Sequence, residues 1–592
     1  MQIKYLDGNR LYNAVCAGGE AVIQNQAYLN KINVFPVPDA DTGTNMASTM
    51  RAILETTTVY RSLQKTLRSI ADAALIGARG NSGIIFAQFI HGLSQELKQH
   101  HKISTSTFAM SVNNAINYVY DSILDPVEGT IITVMKDWAR EIEINSRKTK
   151  DFVHLLSNSL KAAETSLQRT PEQLKVLADA GVVDAGANGF VNFLEGINNF
   201  IHKGKLKKNF QADFNALKFE DTSEHVYTAG NLRYCTEAMI SNSKLDLKAI
   251  QLDLKQFGDS LIAAGSKEKL HLHIHTDKPE KLFARITEIG NISKIKVDDM
   301  QMQYQVSHKR KFPVALVTDS ACDLPKELIE KYQILQIPFN IHFGDTPFLD
   351  KLTITAENFY NKLKTEKIHP KSSQPNLNTI LNLYSFLTVH YKQILAIHIS
   401  DKLTGIYKMS KQMEEKFNET DLKVYNTKQL TVSEGLIVLR TAQAIEAGMP
   451  FEELTNKVDE WINKTDILVD VNTLKYMVRG GRVSPLKGLL AATLNLKPIV
   501  SLDEEGKATA AGKSFSRKAN MKKILQIMKN KADKSSIWNY AIVHAQAKER
   551  AEKYAEELTV IMGKKPAYIM ELSPVVGVHN GIGAIGIGIM EE

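Results

Sequence analysis

The chain has 592 residues, of which 43% are hydrophobic and 23% charged, and its formal net charge is +8. That length exceeds a single core and implies about three to five domains of ordinary globular character. No apolar run is long enough to span a bilayer, the opening residues lack the apolar core of a signal peptide, and three distant cysteines argue against a disulfide framework, so a cytoplasmic location is expected. The modest positive charge suits anionic small ligands or transient contact with an acidic membrane surface at least as well as nucleic acid, for which no motif is present.

Residues 9 to about 200 read mainly as helices. The stretches 46–56, 63–76 and 151–168 carry apolar residues at helical spacing, and short loops with glycine or proline separate several of them. One loop reads NVFPVPDADTGTNM (33–46). Pro36 and Pro38 remove two backbone donors and keep the approach extended, which places Asp39 and Asp41 on a stiff loop. An Asp-x-Asp turn followed by Thr42, Gly43 and Thr44 offers the oxygen ligands a hard divalent cation takes beside phosphates, which points to a magnesium nucleotide. The same residues also fit a solvated acidic turn that caps the next helix. Three further loops, GARGNSG (77–83), PVEGT (126–130) and DAGANG (184–189), set glycine beside a hydroxyl, amide or charge and lead into apolar helices. Backbone N–H groups at such helix starts cradle phosphate. Each alone also reads as an ordinary turn with a cap.

The basic, polar stretch HKGKLKKNFQ (202–211) reads as a linker. A segment from about 225 to 305 then mixes strands and helices. It contains Cys235 in RYCTEAMI and the run KLHLHIHTD, in which His271, His273 and His275 share one face of a strand while Leu272 and Ile274 take the other. A cysteine with two same-face imidazoles is a credible zinc set, although a bare His-x-His is weak on its own. SHKRK (307–311) reads as a second linker. Beyond it, PVALVTDS, ILQIPFNIHF, ILAIHIS and ILVDVNT read as strands with helices between several of them, which makes this half α/β. Two nucleotide-like strings are set aside. GIGAIG (581–586) has too little chain after it for a dinucleotide fold, and GKATAAGKS (506–514) has five residues between its glycines where a Walker loop has four.

With these residues in view, the chain resembles the bacterial fatty acid kinase system over nearly its whole length. Residues 1–205 resemble the all-α, DhaL-type helical barrel shared by that kinase and the nucleotide-binding component of dihydroxyacetone kinase, through NVFPVPDADTGTNM, GARGNSG, PVEGTIITV and VVDAGANGF in order. Residues 220–306 are similar to the kinase's small α+β middle domain, through YCTE and HIHTD. Residues 312–592 resemble the α/β, two-lobed DegV fatty-acid-binding proteins, through VTDSACDLP, SSQPN, HISDKLTGIY, RGGRVS, LNLKPIV and GVHNGIGAIG. The multidomain fold expected is therefore a helical kinase domain, a middle domain and a lipid-binding domain fused in one chain.

The resemblance implies an ATP-dependent phosphotransferase that converts the carboxylate of a bound long-chain fatty acid to an acyl phosphate. It places Mg²⁺ on Asp39 and Asp41, and nucleotide on Thr42, Thr44, Asn45, Arg79, Gly80, Asn81, Ser82, Gly83 and Thr130. Asn33 stands near a third family aspartate, and Ala40 replaces a glycine between the acids. Zn²⁺ falls on Cys235, His273 and His275, with His271 an extra histidine. The fatty acid head group falls on Ser372, Ser373, Thr404 and His579. Arg479 and Arg482 are expected to serve head-group geometry or kinase docking, or to form a solvated basic turn. Implied partners are an acyltransferase that uses acyl phosphate and a second copy of the chain, paired through the nucleotide domain. Two alternatives stay open: a nucleotide-responsive fatty acid carrier without turnover, and a kinase for a small polyol such as dihydroxyacetone.

Overall fold

A computed structural model describes residues 2–36, 41–203, 232–481 and 497–592. The chain forms two compact units, Met1–Tyr304 and Gln305–Glu592. No helix among the described residues is long and apolar enough to cross a membrane.

The first unit opens with a bundle of helices in which Gly8–Gln24, Thr42–Thr56, Leu63–Gly77, Gly80–Glu96, Thr105–Ser122, Ile131–Ser146, Phe152–Gln168 and Ala185–Lys203 are the long members. Several starts are set by short polar side chains: Asp7 accepts from Arg10 N–H, Ser104 from Thr107 N–H and Asp151 from Val153 N–H. The helices bury apolar stripes in a common core that includes Val22, Met50, Ile70, Phe86, Trp138 and Phe190. Edge-to-face rings lock part of that core, with Trp138 and Phe190 centred 5.6 Å apart. Gly43 permits a tight approach, since a methyl group there would stand 2.1 Å from the Gln26 carbonyl oxygen.

The rest of this unit is built on a four-stranded antiparallel sheet of β1 (Tyr234–Ser241), β2 (Asp259–Gly265), β3 (Lys269–Thr276) and β4 (Asn291–Asp299), in the order β2-β3-β1-β4. Alternation along the strands sorts its two faces. Ala238, Ile240, Leu270, Leu272 and Ile274 join Ile250, Leu254, Leu282 and Phe283 in a separate small core beneath the sheet. The opposite face carries Cys235, Glu237, His271, His273 and His275, in the register Cys235–His275, Glu237–His273 and Met239–His271. That face meets the helices: Gly265 N–H donates to Gln88 Oε1 at 2.8 Å, Leu124 N–H to the Leu261 carbonyl at 3.2 Å, and Ile262 and Ala264 are part of the helical core.

The expected linkers are shorter than the composition suggests. His202 and Lys203 close the helix Ala185–Lys203, and 204–211 lie outside the described residues. Ser307 and His308 continue the helix Met300–His308, because Val306 is fully buried and holds the helix past the point where the sequence turns basic.

The second unit contains a parallel sheet of β5 (Val314–Asp319), β6 (Leu335–Ile337), β10 (Gln393–His398) and β11 (Asp421–Asn426), ordered β11-β10-β5-β6. A small antiparallel sheet joins β7 (Asn340–Phe343), β8 (Thr346–Leu349) and β9 (Lys371–Ser373). A six-stranded sheet, ordered β14-β13-β12-β17-β15-β16, holds β12 (Thr465–Asp470), β13 (Lys497–Leu502), β14 (Ala508–Ser514), β15 (Ile537–His544), β16 (Ile569–Glu571) and β17 (Ile585–Glu591). The almost wholly buried helix Thr431–Glu446 packs against strands of both large sheets and joins the two lobes. ILQIPFNIHF, which reads as one strand in sequence, is two. Pro338 has no N–H to extend the ladder, and Phe339 N–H turns aside to Ser320 Oγ at 3.0 Å, so β6 and β7 enter different sheets. GIGAIG forms the turn into β17, and all of GKATAAGKS after Lys507 is the strand β14 itself, so neither is a phosphate loop at a helix start.

Candidate functional site

In the first unit, the starts of four helices meet. A methyl group at Gly80, whose φ is +55°, would sit 2.4 Å from the Asn45 side-chain nitrogen, so the second glycine loop presses on the helix that follows Asp41. A methyl group at Gly186 would sit 2.4 Å from Ser82 Oγ, which brings the fourth loop against the second. The third loop joins through Asp184, whose carboxylate accepts from Ala187 N–H at 2.7 Å and from Ile131 N–H. Four helix N-termini in one place create a site that favours anions. Burial pushes Asp184 up to about 6, against the pull of those two N–H donors.

Individual residues here are partly engaged. Asp41 precedes the helix Thr42–Thr56 without capping it. Thr42 Oγ1 donates to Asn33 Oδ1, and Thr44 Oγ1 accepts from Asn30 Nδ2 at 2.9 Å. Thr130 Oγ1 donates to the Val127 carbonyl at 2.7 Å, a local turn bond. Asn81 Oδ1 is buried with no hydrogen-bond partner among the described residues, an orphaned acceptor at the head of the helix Gly80–Glu96. Gly83 lies in the first turn of that helix against Thr49. Asp39 lies outside the described residues. Donors at helix starts, an orphaned amide and a carboxylate loop fit a magnesium nucleotide in chemistry.

Beside this loop cluster lies the inward face of the sheet. Cys235, His273 and His275 each bring one ligand atom within 4.8 Å of the others. Cys235 Sγ and His273 Nδ1 are 3.8 Å apart, and His273 Nε2 is buried without a partner among the described residues. Sulfur with two imidazole nitrogens fits a borderline cation such as zinc. Burial, then the charges of Glu237, Asp298 and Asp41, push the Cys235 thiol well above its ordinary range, so the loop aspartate stands close enough to act on it. Burial likewise pulls His275 down to about 3 and His271 to about 4, leaving both neutral. His271 is otherwise engaged, with Nδ1 2.8 Å from the Leu75 carbonyl oxygen.

Glu237 closes the YCTE string, yet it has no place in any ligand set expected from the sequence. It lies two residues after Cys235, on the same strand face, and is 1% exposed. Its Oε1 accepts from Gly80 N–H at 2.8 Å, and its Oε2 is 3.4 Å from Arg79 Nη1. Oε1 is also 3.6 Å from His273 Nδ1, and Oε2 is 3.9 Å from His271 Nε2. Burial opposes its charge, but the His273 ring beside it, with Lys296 and Arg79, holds the carboxyl well below the usual range. The Gly80 N–H, a candidate phosphate donor, is therefore already satisfied by a carboxylate. The two-residue period that groups the histidines also places Glu237 among them.

In the second unit, a cavity of about 440 Å³ is lined by apolar side chains such as Phe339, Leu403, Ile467, Val469, Val500 and Val576. Ser372, Ser373, Thr404 and His579 line the same cavity. That volume falls in the roughly 300–1,000 Å³ range of small-ligand pockets, and its makeup is apolar with a few polar groups. His579 Nε2 is 2.9 Å from Ser372 Oγ, and His342 Nε2 is 3.1 Å from Ser373 Oγ. A methyl group at Gly480 would stand 2.1 Å from His579 Nδ1, so the glycine after Arg479 lets the chain close over the imidazole. Arg479 itself is exposed, and Arg482 lies outside the described residues. Asn580 also lines the cavity, and its Oδ1 is buried without a partner among the described residues. Asn376, the residue after Gln-Pro, caps the helix Leu377–His390 by accepting from Thr379 N–H at 2.8 Å. Below the cavity, buried Asp319 accepts from Ile399 N–H and Ala321 N–H, each at 3.1 Å, and pairs with His398 at 3.1 Å, fixing two lining loops.

Three domain families match the chain in succession: the DAK2 domain over residues 36–199, the FakA-like middle domain of fatty acid kinase over 231–307, and the DegV family, described as uncharacterised, over 313–592. Protein YloV of Bacillus subtilis is 33% identical over 320 residues, which cover 51% of this chain and 57% of that protein. An uncharacterized protein of Staphylococcus saprophyticus is 33% identical over 322 residues with the same shares, so the chain spans little more than half the length of either relative. Among solved structures, DegV, a fatty acid binding protein from Bacillus subtilis, is 26% identical, covering 48% of this chain and 100% of that one with a TM-score of 0.44. A fatty acid binding DegV family protein from Streptococcus agalactiae is 25% identical, with shares of 48% and 99% and the same TM-score of 0.44. The chain thus joins a DAK2 domain, a FakA-like middle domain and a DegV-family domain in one polypeptide.

Proposed function

We propose that this protein is an ATP-dependent fatty acid kinase that phosphorylates the carboxylate of a long-chain fatty acid held in its DegV-family domain. The observation that carries the reading is the apolar cavity with Ser372, Ser373, Thr404 and His579 in its lining, on the same chain as a DAK2 domain. Burying an acyl chain there gains roughly 0.8 kcal/mol per CH₂. A carboxyl with an ordinary pKa of about 4.3 is ionised at neutral pH, so the nucleophile needs no general base, which suits a site built without an activating triad. The Ser372, Ser373 and Thr404 hydroxyls and the His579 imidazole supply donors that hold the carboxylate.

In the first unit, Arg79, the helix starts at Asn81 and Ser82, and the side chains of Thr44 and Asn45 orient the nucleotide phosphates. Asp39 and Asp41 would hold Mg²⁺, which when bound neutralises charge on the transferring phosphoryl group. Cys235, His273 and His275 would hold zinc in a structural or docking role. The product serves an acyltransferase that consumes acyl phosphate, and the protein acts as a homodimer paired through the nucleotide domain. Asp41→Asn tests the assignment: acyl phosphate formation should be abolished while fatty acid binding is unchanged, and near-normal turnover would remove Asp41 from the magnesium site.

A further inference from the structure

We infer that Glu237 is a positioning residue that couples the Cys235–His273–His275 set to the nucleotide loop. The inference rests on the nucleotide and metal reading above and extends it to a residue outside either ligand set. One buried carboxylate faces two ways. Toward the helices, it accepts from Gly80 N–H at 2.8 Å and lies 3.4 Å from Arg79 Nη1, so it occupies the start of the helix Gly80–Glu96 as a phosphate oxygen would. Toward the sheet, it lies 3.6 Å from His273 Nδ1 and 3.9 Å from His271 Nε2. Lys296 is its partner on β4 and forms an ion pair with Asp298, so that lysine is shared between two acids.

The chemistry gives the coupling a sign. With the three ligands empty, the Glu237 carboxylate accepts from Gly80 N–H and lies beside Arg79, and it stands as a rival anion where nucleotide phosphate must bind. A cation on Cys235, His273 and His275 draws the carboxylate toward its own side, as acidic neighbours of metal-bound histidines commonly are drawn. Arg79 and the Gly80 N–H then turn to phosphate. Zinc and nucleotide should therefore strengthen each other's binding, and by linkage the effect is reciprocal.

The test titrates MgADP calorimetrically into the full chain, zinc-loaded and chelator-stripped, in wild type, Glu237→Gln and Glu237→Asp. Wild type should bind MgADP at least about 5-fold more tightly when loaded, within the usual range of such couplings. Glu237→Gln removes the rival charge, so its stripped form should bind as tightly as its loaded form, within about 2-fold. Glu237→Asp keeps the charge and should restore most of the difference. An undiminished difference in Glu237→Gln, or none in wild type that carries zinc, overturns the coupling. Wild type that binds no zinc overturns the metal reading instead, and wild type that binds no MgADP in either form overturns the nucleotide reading. A measurement needing no variant covers the case in which Glu237→Gln does not fold: Gly80 amide exchange in wild type should be slower in stripped than in loaded protein, and the reverse order overturns the inference.

Discussion

Ala321 offers a direct probe of the acyl cavity. It is 1% exposed, lines the cavity, and its N–H is fixed by Asp319. Ala321→Leu leaves that backbone bond in place and projects three more carbons into space assigned to the acyl chain. Displacing about three methylenes from the cavity, at roughly 0.8 kcal/mol each, should cost about 2.4 kcal/mol, or about 50-fold in affinity for a long-chain fatty acid. A fatty acid shorter by three carbons fits the smaller cavity and should lose far less. Competition binding across a series of chain lengths reads both effects, with thermal unfolding as a check that the wider side chain is accommodated. Equal losses at every length would indicate general damage to the fold. Unchanged affinity for long chains would place the acyl group outside this cavity and refute the reasoning.

Thr404→Val keeps the side-chain shape but removes a donor to the carboxylate, and should cost on the order of 1–3 kcal/mol in fatty acid affinity by calorimetric titration. Cys235→Ser should lower bound zinc, measured by elemental analysis of freshly purified protein, from one per chain to near none. Asp184 makes a pH prediction. Its carboxyl is raised from 3.8 to about 6 in the fold, so between those values the folded state holds its proton after the unfolded chain has released it. Its contribution to stability is therefore greatest below pH 4 and falls by about 3 kcal/mol as pH rises through 6. Asp184→Asn, which can still accept from Ala187 N–H, should remove that slope from denaturant unfolding of the first unit.

Much of the architecture was legible because local pattern and tertiary burial agree. Alternation in KLHLHIHTD places three histidines on one face and Leu272 and Ile274 on the other, and the sheet buries both faces, one on its own helices and one on the helical core. Composition misleads at SHKRK, where buried Val306 keeps Ser307 and His308 helical, and at ILQIPFNIHF, where Pro338 divides one apolar run between two sheets. Convergence of the four glycine loops depends on close helix contacts at Gly80 and Gly186 that no local pattern encodes. The same is true of Gly80 N–H, whose acceptor lies 157 residues away in Glu237. Asn580 is hidden beside the more conspicuous His579.

The central claim, phosphoryl transfer to a fatty acid carboxylate, is tested most directly by incubating the purified full chain with ATP, Mg²⁺ and oleate and trapping the product with hydroxylamine. The account predicts oleoyl hydroxamate in an amount matching ADP formed, and none when ATP or oleate is withheld. Binding of both ATP and oleate without hydroxamate or ADP would contradict it and leave a nucleotide-responsive carrier. ADP formation that depends on dihydroxyacetone and not on oleate would contradict it in favour of a small-polyol kinase.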